Sequence, residues 1–181
     1  MIDDEDNRLV NSCLSGNEKA YEALIDKYQN NIFNNVYRMI HRFDDAEEIT
    51  QIVFIKAFNN LEKFKSKYKF FSWIYKIAVN ETLNYLNQQK RFEELPEELV
   101  NNTTPHQEYE IYELQNRIQN ALMELDPQYR LLILLKHFEN FSYREIADII
   151  SVPEKTVKSR LFSARQYLKE IFLKMEILNN D

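Results

Sequence analysis

The stretch SYREIADIISVPEKTVKSRLFSARQ, residues 142–166, decides how the rest of the chain is read. Ser142 and Glu145 have the spacing of a capping box, in which the serine accepts a backbone N–H and the glutamate reaches back. A short helix to about Ile149 follows, Ile150-Ser151-Val152 breaks it, and Pro153 stands near the start of a last helix to about Lys174. A short helix, a tight turn and a longer basic helix make a helix-turn-helix arrangement. At about 100° per residue, Val157, Leu161, Ala164 and Leu168 fall on one stripe, the expected core face. The opposite side shows Lys155, Lys158, Ser159, Phe162, Ser163 and Gln166. An ordinary amphipathic helix also has a solvated charged face. The ring of Phe162 among polar neighbours, behind that turn, favours DNA: a phenyl contacts a thymine methyl, while lysine, serine and glutamine bond to base edges or phosphates.

Working outward, composition points the same way. The 181 residues contain one glycine and four prolines, too few for a sheet-rich fold or a phosphate-cradling loop, so an all-α protein is expected. The single cysteine, Cys13, excludes an intramolecular disulfide and a cysteine-cluster zinc site. The acidic start Met1-Ile2-Asp3-Asp4-Glu5-Asp6 is unlike a signal peptide, and no apolar run approaches the roughly 20 residues that cross a bilayer. A cytoplasmic protein without membrane insertion is the expectation.

The net charge of −6 argues against nucleic acid until it is divided along the chain. Residues 63–91 carry Lys63, Lys65, Lys67, Lys69, Lys76, Lys90 and Arg91 against Glu81 alone. Residues 154–174 carry Lys155, Lys158, Arg160, Arg165, Lys169 and Lys174 against Glu154 and Glu170. Between them, residues 93–113 hold seven glutamates and no lysine or arginine. Pro96, Pro105, Asn101-Asn102 and Thr103-Thr104 interrupt any apolar period there, which reads as a flexible acidic linker of about twenty residues. Two small helical domains follow, 1–92 and 111–181, joined by a linker at 93–110.

In the first domain the spacing predicts a helix through Ala20, Leu24, Tyr28, Ile32 and Val36, a second over Asp45–Leu61, and a third from an N-cap at Ser72 through Leu86. In the second, Ile111–Leu125 is a helix, and Asp126-Pro127 caps another that carries Leu131, Leu132, Leu134, Leu135 and Phe138. The loop at 61–75 alternates Lys63, Lys65, Lys67 and Lys69 with Phe64, Tyr68 and Phe70, and continues into Phe71, Trp73 and Tyr75. Lysines neutralise phosphates, and rings give unpaired bases a stacking surface worth about 1–3 kcal/mol each, so the loop suits single-stranded DNA. Phe71 and Trp73 are read as core, with the lysines otherwise serving only solubility. On the second helix Val53, Phe54, Ala57, Phe58 and Leu61 supply a core face, yet Ile52 and Ile55 stand among Glu48, Gln51 and Asn59 on the far side. Such a mixed face suits a partner protein, though isolated isoleucines are also common on monomer surfaces.

These blocks, in this order, resemble the extracytoplasmic-function group of the sigma-70 family. Gly16-Asn17-Glu18-Lys19-Ala20-Tyr21 through Tyr28 and Ile32-Phe33 looks like the opening helix of sigma domain 2. Residues 44–58, DDAEEITQIVFIKAF, are similar to the family's most recognisable block, and residues 70–80, FFSWIYKIAVN, to its promoter-melting and −10 segment. Residues 143–147 together with Thr156, Val157, Lys158, Ser159, Arg160, Leu161, Ala164 and Arg165 resemble domain 4. The resemblance implies core RNA polymerase as partner. Asp45, Glu48, Gln51, Ile52 and Ile55 would dock on the β′ clamp helices, and the helix around Leu131–Phe138 would help domain 4 rest on the β flap. It implies promoter DNA as the other partner. The −10 strand would be held by Phe64, Lys65, Lys67, Tyr68, Lys69, Tyr75, Asn80, Lys90 and Arg91, with Phe64, Tyr75 and Asn80 matching the family's base-capturing positions. The −35 duplex would be read by Lys155, Thr156, Lys158, Ser159, Arg160, Phe162, Ser163, Arg165 and Gln166. The linker would pass through the polymerase towards the RNA exit channel, and an anti-sigma factor is the implied regulator. The family often has glycine near Ser66, Ser151 and Lys155 and arginine where Ser163 stands. Fewer arginines mean fewer bidentate guanine contacts.

Enzyme chemistry finds no footing in the sequence. His41, His106 and His137 are far apart and match no H-E-x-x-H or Cys/His pattern, and one glycine rules out G-x-S-x-G. No metal, cofactor or small-molecule substrate is expected. The reading from another class is a stand-alone helix-turn-helix regulator, which would bind duplex DNA without polymerase and leave the lysine-aromatic loop without a task.

Overall fold

A computed structural model describes residues 4–92, 109–175 and 177, and among them every regular element is helical. The N-terminal half comprises α1 (Asp4–Leu14), α2 (Glu18–Ile40), α3 (Phe43–Asn59), a 3-10 turn at Leu61–Lys63, and α4 (Phe70–Phe92). The C-terminal half comprises α5 (Tyr109–Glu124), α6 (Pro127–Ile133), a π-helical turn at Leu134–Phe138, α7 (Tyr143–Ile150) and α8 (Glu154–Lys174). The all-α reading therefore holds.

Spacing explains the packing of the first half. On α2, Ala20, Leu24, Tyr28, Ile32, Val36 and Met39 are buried, each three or four residues from the last, so one stripe faces α3 and α4. Helix α3 answers with Ala46, Ile49, Val53, Phe54 and Ala57, and α4 with Phe70, Ile74, Ala78 and Val79. Asn17 caps α2 by accepting the Lys19 N–H at 3.1 Å.

Two features depart from the sequence reading. Helix α1 is additional: its polar surface hides a short anchor, in which Val10 and Cys13 are buried and Asp6 is only 1% exposed. Asp6 accepts from the Tyr28 hydroxyl and from Lys27 Nζ at 2.8 Å, so its buried charge is matched. Burial alone would lower the Lys27 pKa, but Asp6 and Glu5 outweigh it and raise it. Second, Ser72 does not cap α4. The helix starts at Phe70, the Trp73 N–H already bonds to the Lys69 carbonyl, and the buried Ser72 Oγ has no hydrogen-bond partner. Burial of the Phe70 ring, 1% exposed, sets the start two residues earlier. At the other end of the linker reading, α5 begins at Tyr109; residues 93–108 lie outside the described residues.

In the second half the capping predictions hold. Asp126 accepts the Gln128 N–H at 2.8 Å with Pro127 opening α6, and Ser142 with Glu145 forms a full capping box on α7. Ser151 ends α7 in the left-handed region, φ 57°, where a glycine would be unstrained. Leu122, Leu125, Leu131, Leu132, Leu134, Leu135, Ile146, Val157, Leu161 and Ala164 fill the core, and Leu168 packs on it half-buried.

Arg130 ties the helix ends together. Its guanidinium is 4% exposed and donates to the carbonyls of Leu122 (2.8 Å), Met123 (2.8 Å) and Leu125 (3.1 Å), and to that of Met39 at the end of α2. These carbonyls lie at or just beyond helix C-termini, where partial negative charge accumulates and donors are few; that of Leu122 also takes the Leu125 N–H at 3.2 Å. Burial still lowers the Arg130 pKa to about 10. Arg130→Met should lower the stability by about 3 kcal/mol, because truncation leaves buried carbonyls without donors. Urea unfolding followed by circular dichroism checks this; an unchanged midpoint would show that the guanidinium contributes packing alone.

Candidate nucleic-acid interface

Helix α8 buries Val157, Leu161, Ala164 and Ile171, which turns its other side to solvent. Lys155, Ser159, Phe162 and Gln166 are exposed and fall within about 60° of one another at helical spacing. Phe162 is 64% exposed, so its ring belongs to no core. Lys158 and Arg165 lie together along one edge of this stripe. Lys158 Nζ lies 2.7 Å from Glu154 Oε1 and over the Tyr143 ring, and the Glu154 carboxylate raises its pKa. Arg165 Nε donates to His137 Nε2 at 3.2 Å; burial, then Arg165 and Lys136, lower the His137 pKa, so the imidazole serves as acceptor. Thr156 and Ser163 are half-buried, and Arg160 turns away from the stripe. A row of base-sized contacts edged by phosphate-sized charges is what a helix in the major groove presents.

The loop before α4 is split by the fold. Lys65, Lys67 and Tyr68 are exposed, with Lys67 Nζ 4.9 Å from the Tyr68 ring centroid. Phe64 is half-buried, its ring 5.6 Å from Phe70 and 5.5 Å from Trp73. Asn80 and Lys90 are exposed on α4, and Arg91 lies in its last turn with a side chain outside the described residues. Lys69 and Tyr75 stand differently. Lys69 Nζ is 2.8 Å from Glu145 Oε1 of α7. Tyr75 is fully buried, and its hydroxyl donates to Glu139 Oε2 at 2.6 Å. Burial first, then the Glu139 charge, push the Tyr75 pKa up, so the phenol stays neutral.

On α3, Glu48, Gln51 and Ile55 are exposed and Ile52 half-buried, and with Asp45 they occupy one arc of about 120°. Ile55 is 58% exposed, an apolar side chain with acidic and amide neighbours. Asp45 is occupied, accepting from the Tyr85 hydroxyl at 2.7 Å and pairing with Arg42 at 2.5 Å. Burial and Asp45 push the Tyr85 pKa up to about 12. The apolar residues 131–135 in the second half are all buried, leaving Lys136, His137 and Phe138 at the surface there.

Sequence reasoning missed the acceptors that meet the N-terminal half: Glu139, Glu145 and the carbonyl of Asp148, which takes Lys76 Nζ at 3.1 Å. Nothing periodic marks them. Among the described residues no group of three or more His, Cys, Asp or Glu is placed to hold a metal, and no helix is long and apolar enough to cross a membrane.

Comparison with known proteins agrees with this geometry half by half. Residues 24–92 match the family described as Sigma-70 region 2, and residues 115–168 that described as Sigma-70, region 4. The chain is 32% identical to the ECF RNA polymerase sigma-E factor of Haemophilus influenzae over 91% of its length and 93% of that protein's. It is 30% identical to the ECF RNA polymerase sigma factor SigW of Bacillus subtilis over 86% of its length and 90% of that protein's. The solved structure of CnrH in complex with the cytosolic domain of CnrY has the same fold, with TM-score 0.72 at 21% identity over 93% of this chain and 97% of that one. The exposed faces of α3 and α8 therefore lie in the two regions that match the family: the chain belongs to the sigma-70 family, within its extracytoplasmic-function group.

Proposed function

We propose that this sigma factor docks on core RNA polymerase through the α3 arc, reads the −35 duplex with α8, and holds the opened −10 strand with the loop at 64–69 and α4. The observation that carries the reading is the exposed row Lys155, Ser159, Phe162 and Gln166 on the second helix of a helix-turn-helix, in the half that matches region 4. Its phosphate contacts come from Lys158 and Arg165, which sit together along one margin of that row. The α3 arc is the contact for the β′ clamp, with Ile55 and Ile52 giving apolar area and Gln51 and Glu48 giving direction. Rest on the β flap falls to Lys136, His137 and Phe138, because the leucines beside them are buried. Lys65, Lys67 and Tyr68 offer charge and a ring to the −10 strand as they stand, beside the half-buried Phe64 ring. The protein works in the cytoplasm, as a transcription initiation factor without catalytic groups of its own. An anti-sigma factor is the expected regulator; the sigma factor RpoE of Bartonella quintana, of the same fold at TM-score 0.72, was solved with one.

The direct test is run-off transcription of genomic fragments by core polymerase with and without the protein. Specific starts that depend on it are expected, and their absence would remove the reading. Phe162→Ala with Lys158→Ala should reduce −35-dependent transcription about tenfold or more, the effect of losing one base contact and one phosphate contact at about 1–3 kcal/mol for the former. Core binding by that variant should be unchanged, and a loss of core affinity would contradict the assignment of α8. Gln51→Ala with Ile55→Asp should abolish association with core in a pull-down while helix content stays native. Wild-type binding by that pair would exclude the α3 arc as the β′ contact.

A further inference from the structure

Which bases α8 can tell apart is set by the donors, acceptors and apolar groups in its outward row. The row carries an ammonium, a hydroxyl, a phenyl ring and a carboxamide: Lys155, Ser159, Phe162 and Gln166. It carries no arginine. Arg160 projects about 130° round the helix from the row and lines a cleft with Lys90. Arg165 lies about 90° from the row, and its Nε donates to His137 Nε2 at 3.2 Å. Arg144 stands on α7, the helix that crosses the DNA backbone in this motif instead of entering the groove. Ser163 is half-buried, and Lys158 Nζ is 2.7 Å from Glu154 Oε1. Arginine on O6 and N7 is the commonest reader of guanine, and only Lys155, in the first turn of α8, can take its place here.

We infer that the −35 element this chain selects is determined by A·T pairs, with a thymine methyl against Phe162 and an adenine held by Gln166. The Phe162 ring is 64% exposed and has no packing partner within the chain, so its apolar surface is free for the duplex. Over an A·T pair it covers the thymine C5-methyl, the one apolar group on the floor of the major groove. Over a G·C pair the same ring would cover guanine O6 and N7 or cytosine N4 and leave them without water or a partner, which is costly. One turn further on, the Gln166 carboxamide has the donor and acceptor that match adenine N7 and N6. Four residues of helix at ~1.5 Å each span about 6 Å, close to two base steps of ~3.4 Å. The thymine and the adenine therefore lie about two base pairs apart. Ser159 accepts either kind of pair, and guanine has a place only towards the Lys155 end.

This inference rests on the assignment of α8 to the −35 duplex, and one experiment separates the two. Core polymerase carrying the full-length chain is used to select binders from promoter fragments randomised across the −35 element. Each thymine of the selected element is then replaced singly by deoxyuridine, which removes only the methyl, and each adenine by 7-deazaadenine, which removes only N7. One deoxyuridine should weaken binding by wild-type holoenzyme about fourfold, the effect of one buried methyl, and holoenzyme with Phe162→Ala should bind the thymine and uracil forms equally. One 7-deazaadenine about two pairs away should weaken wild type about fivefold, and Gln166→Ala should be indifferent to it. Both side chains are exposed, so the variants keep the fold, and each comparison is a ratio measured with one protein. A selected element with G·C pairs facing both residues overturns the inference and leaves the −35 assignment standing. So does an A·T element in which no deoxyuridine separates wild type from Phe162→Ala. A selection that returns no preferred sequence removes the assignment of α8 itself, and the inference with it.

Discussion

The stripe that α4 buries against α2 and α3 is the constraint on which the rest depends. Phe70, Ile74, Ala78 and Val79 lock the helix into the N-terminal core, and Phe70 also gathers Phe64 and Trp73 around it. With that stripe fixed, the helical period decides what every other position faces. Lys69 and Lys76 emerge towards the second half, Asn80 and Lys90 emerge to solvent, and the loop at 64–69 is held at the helix N-terminus. A rigid platform is what strand capture needs, since a ring contributes to stacking only when its own freedom is already lost. The neighbouring helix α3 follows the same logic: its buried stripe leaves Asp45, Glu48, Gln51, Ile52 and Ile55 on one continuous outward arc.

Charge is distributed so that a protein of net charge −6 still offers cationic faces. The lysines that keep contact with solvent are concentrated in the loop at 64–69 and on α8, while several acidic side chains are consumed internally. Asp6 is matched by Lys27 and Tyr28, Asp45 by Arg42 and Tyr85, and Glu145 by Lys69 and Ser142. Burial pushes the Glu145 pKa up, and the hydrogen bonds from Lys69 and Ser142 more than reverse it. The field at the surface of α8 is local, because screening at about 8–10 Å removes most of the influence of distant acids.

Much of this was legible from periodicity and capping. The core stripes of α2, α3 and α8, the Asp126-Pro127 start and the Ser142–Glu145 box all follow from local rules, and the outward residues of α8 follow by subtraction. Helix α1 was not legible, since it is held by Val10, Cys13 and a buried Asp6 rather than by an apolar stripe long enough to show a period. Ser72 misled for a related reason: a good capping residue two positions late lost to the burial of Phe70. Tyr75 shows the limit for the site. Its motif marked it as a base contact, but its burial under Phe141 and Glu139 depends on residues more than sixty positions away in the chain. Neither Arg130 nor the acceptors it reaches can be paired from spacing.

The strength of the contact between the halves sets what it can do. Lys69 and Glu145 are 52% and 26% exposed, so their ion pair is worth about 0–1 kcal/mol. The Phe71–Phe141 and Tyr75–Phe141 pairs add about 0.5–1.5 kcal/mol each beyond area burial. Between separate molecules, a contact of a few kcal/mol would hardly form against the loss of translational freedom. Within one chain the halves meet at an effective concentration near the millimolar range, and the same contact can dominate. It also stays reversible. A stronger seam, such as a large apolar interface, would make a stable molecule that no longer opened. The contact thus combines an exposed ion pair, Lys69 with Glu145, with the buried rings of Tyr75 and Phe141, and the rings carry the larger share of it.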